Sequence, residues 1–374
     1  MPYPKFDRDK LHIKSLQERH NKVFIEKDHV PPSREPAGLS GNDYALVAEA
    51  ASRIRTARSK GRSVMLTFGA HTIKNGMAPT LIALMKGGWI THLAANGAGI
   101  IHDWEFAFQG KSSEDVRENV RHGQFGIWQE TGFYINLALV AGAYQGLGYG
   151  ESVGKMIHEE GLEIPEPDVL YQEAGLEMKN HPARAAAALD FVSVIRHFSL
   201  KPGFMAIPHP FRKYSAQAQA YAMGIPFTGH PMFGHDIIYT HPMNHGAALG
   251  RTAQNDFLSY TNSVANLEDG VYLSIGSAVM SPMIFEKALS MVQNIEIQNK
   301  QHIDNHYILV VDLARNEWDW QHDGEPPQDH PAYYLRYCKT FNRMGGSMRY
   351  LSADNRDFLL ALCHELSGNQ GLSN

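Results

Sequence analysis

T-H-L-A-A-N-G-A-G-I-I-H-D-W-E-F-A-F-Q-G-K-S-S-E-D, residues 91–115, is the stretch that decides how this chain is read. The run Ile90 to Ala94 is of β type. It ends in Asn96-Gly97-Ala98-Gly99, and a second apolar segment follows at once, carrying His102, Asp103 and Glu105. Small residues at a strand end let a ligand approach the backbone, and the free N–H groups of a following helix attract an anion. Polar side chains one turn further on can then act on whatever is held there.

The same cycle recurs outward from this segment. Val64 to Phe68 reads as a buried strand, and Ile73 to Met85 as a helix with Pro79 inside it. Strands are expected at 205–207, 225–228, 236–240, 271–275, 307–313 and 348–351. Helices are expected at 133–144, 151–160, 183–198, 215–223, 247–266, 283–293, 333–344 and 354–366. Alternation of strands with helices of ten or more residues predicts an α/β fold built on a mostly parallel sheet. Residues 1–60 read as a Pro-rich arm and a helix, and 61–374 as a single α/β domain with a helical insertion around 145–200.

The 374 residues are 43% apolar and 20% charged, enough for a sizeable core. The formal charge of −5 argues against a nucleic-acid or anionic-membrane surface. Cys338 and Cys363 show no Cys-x-x-Cys spacing, so neither a disulfide framework nor a thiolate metal site is expected. The N-terminus has no secretory pattern and no apolar run approaches the ~20 residues of a membrane span, so a cytoplasmic protein is expected.

In open parallel sheets ligands bind beyond the carboxyl ends of the strands. The turns expected there are 69–76, 96–99, 229–236, 241–246, 276–282 and 312–317, and most place Gly beside a polar side chain. A nucleotide-sized site follows, with Gly69, Asn75, Gly76, Asn96, Gly97, Ala98, Gly99, Gly276 and Ser277 as cofactor contacts. Asp103 or Asp312 would hold a ribose. No G-x-G-x-x-G or Walker pattern is present. His102, His241 and His245 are the candidate proton carriers. A second reading treats His230 to His245, with Asp236, as the metal site of a hydrolase. A third is a nucleotide-binding protein without catalysis.

The turns also resemble those of the deoxyhypusine synthase family and its bacterial relatives over residues 64–320. The resemblance lies in Phe68-Gly-Ala-His with Asn75-Gly76, and in Ala95-Asn-Gly-Ala-Gly99 with His102-Asp103. It continues in Thr240 to Gly250, in Gly276-Ser-Ala-Val and in Val311-Asp-Leu-Ala314. It implies a Rossmann-like parallel sheet with helices on both faces, bound NAD and a homodimer or homotetramer. It further implies a small amine or polyamine substrate, oxidised and passed on through a lysine imine. NAD contacts would fall on Gly76, Gly97, Ala98, Asp103, Gly276 and Asp312. The family's Trp-Gly-Lys is absent here, and the nearest downstream lysine is Lys339 in Tyr337-Cys-Lys.

Overall fold

The computed structural model describes residues 3–368. Six strands form one parallel sheet: β1 Val64–Phe68, β2 His92–Asn96, β3 Phe227–His230, β4 Val271–Ile275, β5 Tyr307–Asp312 and β6 Ser347–Ser352. Their spatial order is β6-β5-β4-β1-β2-β3. Every neighbouring pair is parallel, with β1 between β2 and β4 at the centre. This is the 3-2-1-4-5-6 order of Rossmann-like folds, in which the winding direction reverses between strands 1 and 4.

Strand residues alternate between two cores, as the two-residue period requires. Val64, Leu66 and Phe68 join Leu93, Leu273, Leu309 and Phe358 in one core. Met65 joins Tyr272, Ile308, Phe285 and Phe341 in the other. The first core lies under α1 Gly41–Ser59, α2 Ala78–Lys86 and a C-terminal helix, Asn355–Ser367. Between β2 and β3 run α3 Gly97–Gln109, α4 Gln129–Gln145, α5 Tyr149–Glu159, α6 Pro167–Glu177, α7 Pro182–His197 and α8 Ala216–Met223. Crossovers α9 Gly246–Ala265 and α10 Met280–Gln298 cover the second core. Helices fall on opposite faces because right-handed crossovers on either side of the reversal must.

Several expectations are corrected. Residues 73–85 are not one helix: Ala70–Lys74 and α2 are separated at Asn75-Gly76, and Pro79 sits in the first turn of α2, where its missing N–H costs nothing. Gly203–Ala206 is a strand, but it pairs antiparallel with Gly161–Ile164 in a separate ribbon off the main sheet. Residues 236–240 are not a strand; Ile237–Thr240 is a 3-10 turn. Its backbone is satisfied from outside, since Asn136 Nδ2 donates to Ile238 O and Arg8 donates to Tyr239 O. Cys338 and Cys363 are buried free thiols. Among the described residues no helix is long and apolar enough to cross a membrane.

Candidate functional site

The reversal of winding brings two turns into contact. The Gly69 N–H at the end of β1 donates to Ile275 O of β4 at 3.0 Å, and the Gly276 N–H donates to Val311 O of β5 at 2.9 Å. A Cβ on Gly69 would overlap the carbonyl oxygen of Gly276. Gly69 has an ordinary φ of −84°, so glycine is demanded there by the close approach and not by backbone conformation. Gly276, at φ +56°, turns the chain sharply out of β4. Ahead of the next helix, α10, Ser277 Oγ accepts from the Ser281 N–H at 3.2 Å and so takes one N–H of its first turn. Asp312 closes β5, the neighbouring strand, and its Oδ1 accepts from the Ala314 N–H at 3.2 Å. A glycine turn, a helix N-terminus and a carboxylate at the end of the adjoining strand thus stand side by side on one rim.

The turn after β2 differs. Asn96 caps α3 by accepting from the Gly99 N–H at 3.0 Å. The carboxyl group of Asp236 lies flat against Gly97, where a Cβ would overlap it, and the Ala98 N–H is directed at it. The chain's own groups therefore occupy the N-terminus of α3, where the sequence suggested a phosphate. Of the two glycine turns expected to hold phosphate, the Gly276-Ser277 turn is the one with open space beside its glycine.

Asp103 does not face this rim. It is 1% exposed and caps α8, accepting from Ser215 Oγ at 2.5 Å, the Ala216 N–H at 2.8 Å and the Gln217 N–H at 3.2 Å. Burial pushes its pKa up, against those bonds. Asn75 is tied to Asn355 at 3.1 Å, and Gly76 presses on the carbonyl of Asp28 in the N-terminal arm, so both serve packing.

His102 sits one turn into α3 at the end of a hydrogen-bond chain. Arg19 grips Glu105 through both guanidinium nitrogens at 2.7 and 2.6 Å. Ser112 Oγ donates to Glu105 Oε2 at 2.5 Å and stands 2.7 Å from His102 Nδ1. Because the serine proton goes to Glu105, His102 must donate from Nδ1, which leaves the lone pair on Nε2. Burial lowers the imidazole pKa to about 4, with Glu105 opposing and Lys74 reinforcing the shift. His102 is therefore expected to remain the neutral Nδ1–H tautomer from about pH 5 to pH 8, where an exposed histidine titrates. Nitrogen-15 NMR of the imidazole checks this; a midpoint near 6.5 would contradict it.

Three of the later histidines make contacts within the fold. His241 Nδ1 accepts from the Met243 N–H at 3.0 Å and Nε2 meets Gln129 Oε1 at 3.2 Å. Burial, helped by Arg8, lowers its pKa to about 4. His245 caps α9 through the Ala248 N–H at 3.3 Å. His230 Nε2 meets Thr228 Oγ1 at 2.9 Å inside the core. Among the described residues no group of three or more His, Cys, Asp or Glu side chains could hold a metal ion, so the hydrolase reading finds no centre. Lys339 is held by Glu325 at 3.8 Å and lies over the Tyr333 ring at 3.3 Å.

Sequence reading gave Asp236 only a metal-ligand role. Burial raises its pKa to about 7, and its Oδ2 has no partner. Nothing in the local sequence signals that residue 236 meets Gly97. Asp256, pushed up to about 8 by burial, accepts from the Gly150 N–H and Gly229 N–H and fastens α5 to β3. A cavity of about 360 Å³ lies beside it at the sheet edge, lined by Gly148, Glu151, Tyr221 and Thr228, away from the winding reversal.

No family model matches the chain, and no curated protein matches it. Among solved structures it is similar to AgrE in a ternary complex with ornithine and NAD+, at 13% identity and a TM-score of 0.43, covering 88% of this chain and 34% of that one. It is similar to ArgZ, an arginine dihydrolase from the ornithine-ammonia cycle in cyanobacteria (14% identity, TM-score 0.38, 86% of this chain and 32% of that one). A conserved putative LOR/SDH protein from Methanococcus maripaludis S2 also matches, at 11% identity and a TM-score of 0.42, over 95% of this chain and 75% of that one. The chain spans about a third of the length of the first structures it matches. The resemblance to deoxyhypusine synthase is thereby corrected: these neighbours are of the AgrE, ArgZ and LOR/SDH kind. Lys339, in its contacts with Glu325 and Tyr333, gives that family's lysine chemistry no support.

Proposed function

We propose that this chain is an NAD-dependent enzyme acting on a small amino compound, with the cofactor lying across the reversal between β1 and β4. The observation that carries the reading is the unit β4–Gly276–α10–β5–Asp312. It has the parts a dinucleotide site requires. A glycine turn allows backbone approach, the N-terminus of a 19-residue helix follows it and would face the pyrophosphate, and a carboxylate at the end of the second strand would accept from ribose hydroxyls. Gly69 and Ser277 form the remaining walls. When bound, NAD supplies the two-electron oxidising power that no side chain has. The chain's part is to orient the substrate beside it and to manage the proton; Asp236, which lies at Gly97, and His102 on α3 are the titratable groups assigned to it.

Asp312 gives the test its sign. A carboxylate that accepts from the ribose 2′-hydroxyl repels a 2′-phosphate. NAD should therefore bind at least about tenfold more tightly than NADP, a difference of about 1.4 kcal/mol. Asp312→Ala should weaken NAD and erase the preference, as read by calorimetric titration with both nucleotides. Equal affinity for NAD and NADP in the unaltered protein would overturn the assignment of Asp312.

A further inference from the structure

Three buried polar atoms lack partners: Asp236 Oδ2, the Tyr149 hydroxyl and the Tyr239 hydroxyl. Buried polar groups are nearly always hydrogen-bonded, so three orphans together call for an occupant. Asp236 lies at Gly97, just past the end of β2, Tyr149 lies at Gly229 in the neighbouring β3, where Gly229 pairs with Ala95, and the Tyr239 N–H donates to Asp236 O at 3.3 Å. Tyr149 is fully buried, its ring against Gly229 at the end of β3. Tyr239 comes from the turn Ile237–Thr240, and Phe233, 65% exposed, lies tilted against its ring with centroids 5.1 Å apart. Asp236 is only partly exposed, and no cationic side chain is among the groups that act on it.

We infer that Asp236, Tyr149 and Tyr239 form a subsite for a primary ammonium group, so that the small molecule taken at this rim is a cationic amine. Each of the three oxygens can accept, and an ammonium offers three donors and no acceptor. Its charge compensates a carboxylate that is otherwise buried without a counter-ion, an arrangement that costs heavily when left unpaired. The aromatic faces of Tyr239 and Phe233 suit a cation as well. A lone carboxylate and two phenols are too few ligands for a metal ion. The inference rests on the reading above only in naming the amine as substrate; the subsite itself does not involve the cofactor.

The test is a titration of the full chain with n-propylammonium, and with n-propanol as the neutral control, followed by tyrosine difference absorbance. Saturable binding of n-propylammonium is expected, at least tenfold tighter than n-propanol. Asp236→Asn, which keeps the shape and removes the charge, should weaken it at least tenfold, and Tyr239→Phe by a smaller factor of about three. Each variant is first shown to keep its helical circular dichroism and is titrated with NAD. No saturation, equal binding of the alcohol or unchanged affinity in Asp236→Asn would overturn the subsite and leave a buried water in its place. NAD binding reports separately on the cofactor reading, so the two fail independently.

Discussion

Arg19→Met is expected to destabilise the protein by about 3–5 kcal/mol, the cost typical of leaving one partner of a buried ion pair uncompensated. The Arg19 and Glu105 side chains are each 1% exposed. Glu105 also accepts from Ser112 Oγ and from Thr131 Oγ1 at 2.9 Å, so the pair joins the N-terminal arm to α3 and α4. Burial by itself would raise the Glu105 pKa, but the charge and hydrogen bonds of Arg19 outweigh it and hold the carboxyl below its ordinary value. The sign with pH follows. The contribution is present above the unfolded carboxyl pKa of about 4.3 and is lost as pH falls through the lower folded value. Urea unfolding at neutral and acid pH measures both effects. The double variant Arg19→Met, Glu105→Leu should recover most of the loss, because it removes the stranded charge along with its partner. A loss below about 1 kcal/mol in the single variant, the range of exposed pairs, would refute the pair's structural weight.

Gly69→Ala should affect both stability and cofactor binding. The added methyl group would overlap the carbonyl oxygen of Gly276, a backbone atom of a residue whose N–H is tied to Val311 O of β5. Overpacking of this kind costs about 1–3 kcal/mol. The turns after β1 and β4 must separate to relieve it, and those turns are the walls of the proposed cofactor site. NAD affinity should therefore fall at least about tenfold, whereas Gly175→Ala, in open space on α6, should leave NAD affinity unchanged and raise stability by up to about 1 kcal/mol. Thermal melting with and without NAD reads both quantities. A variant with unchanged melting and unchanged NAD affinity would mean that the two turns do not work together.

Legibility from sequence followed how local the physics was. Val64 to Phe68 was read with its observed bounds because a short, mostly apolar run ending at Gly69-Ala70 has one economical use in an α/β chain. The winding reversal was not legible as such, but glycine at the ends of β1 and β4 was. Ile237–Thr240 was misread because its β-branched and aromatic residues favour strand, whereas Asn136 and Arg8 offered its carbonyls other partners. Asp103 was misassigned for a related reason. Its helical position was right, but which way its side chain faced depended on Ser215, 112 residues distant. The histidines between 230 and 245 looked like chemistry because imidazole can titrate near neutrality, yet two of them accept backbone N–H groups and a third is enclosed by the core. Asp236 was undervalued because only the fold brings it to Gly97.

Calorimetric titration of NAD into the full chain, alone and with Asp312→Ala or Gly69→Ala, tests the central claim most directly. One saturable site per chain is predicted, with an affinity between micromolar and millimolar, reduced at least about tenfold by either substitution. No binding at millimolar NAD, or binding untouched by both substitutions, would contradict a cofactor site at the reversal between β1 and β4.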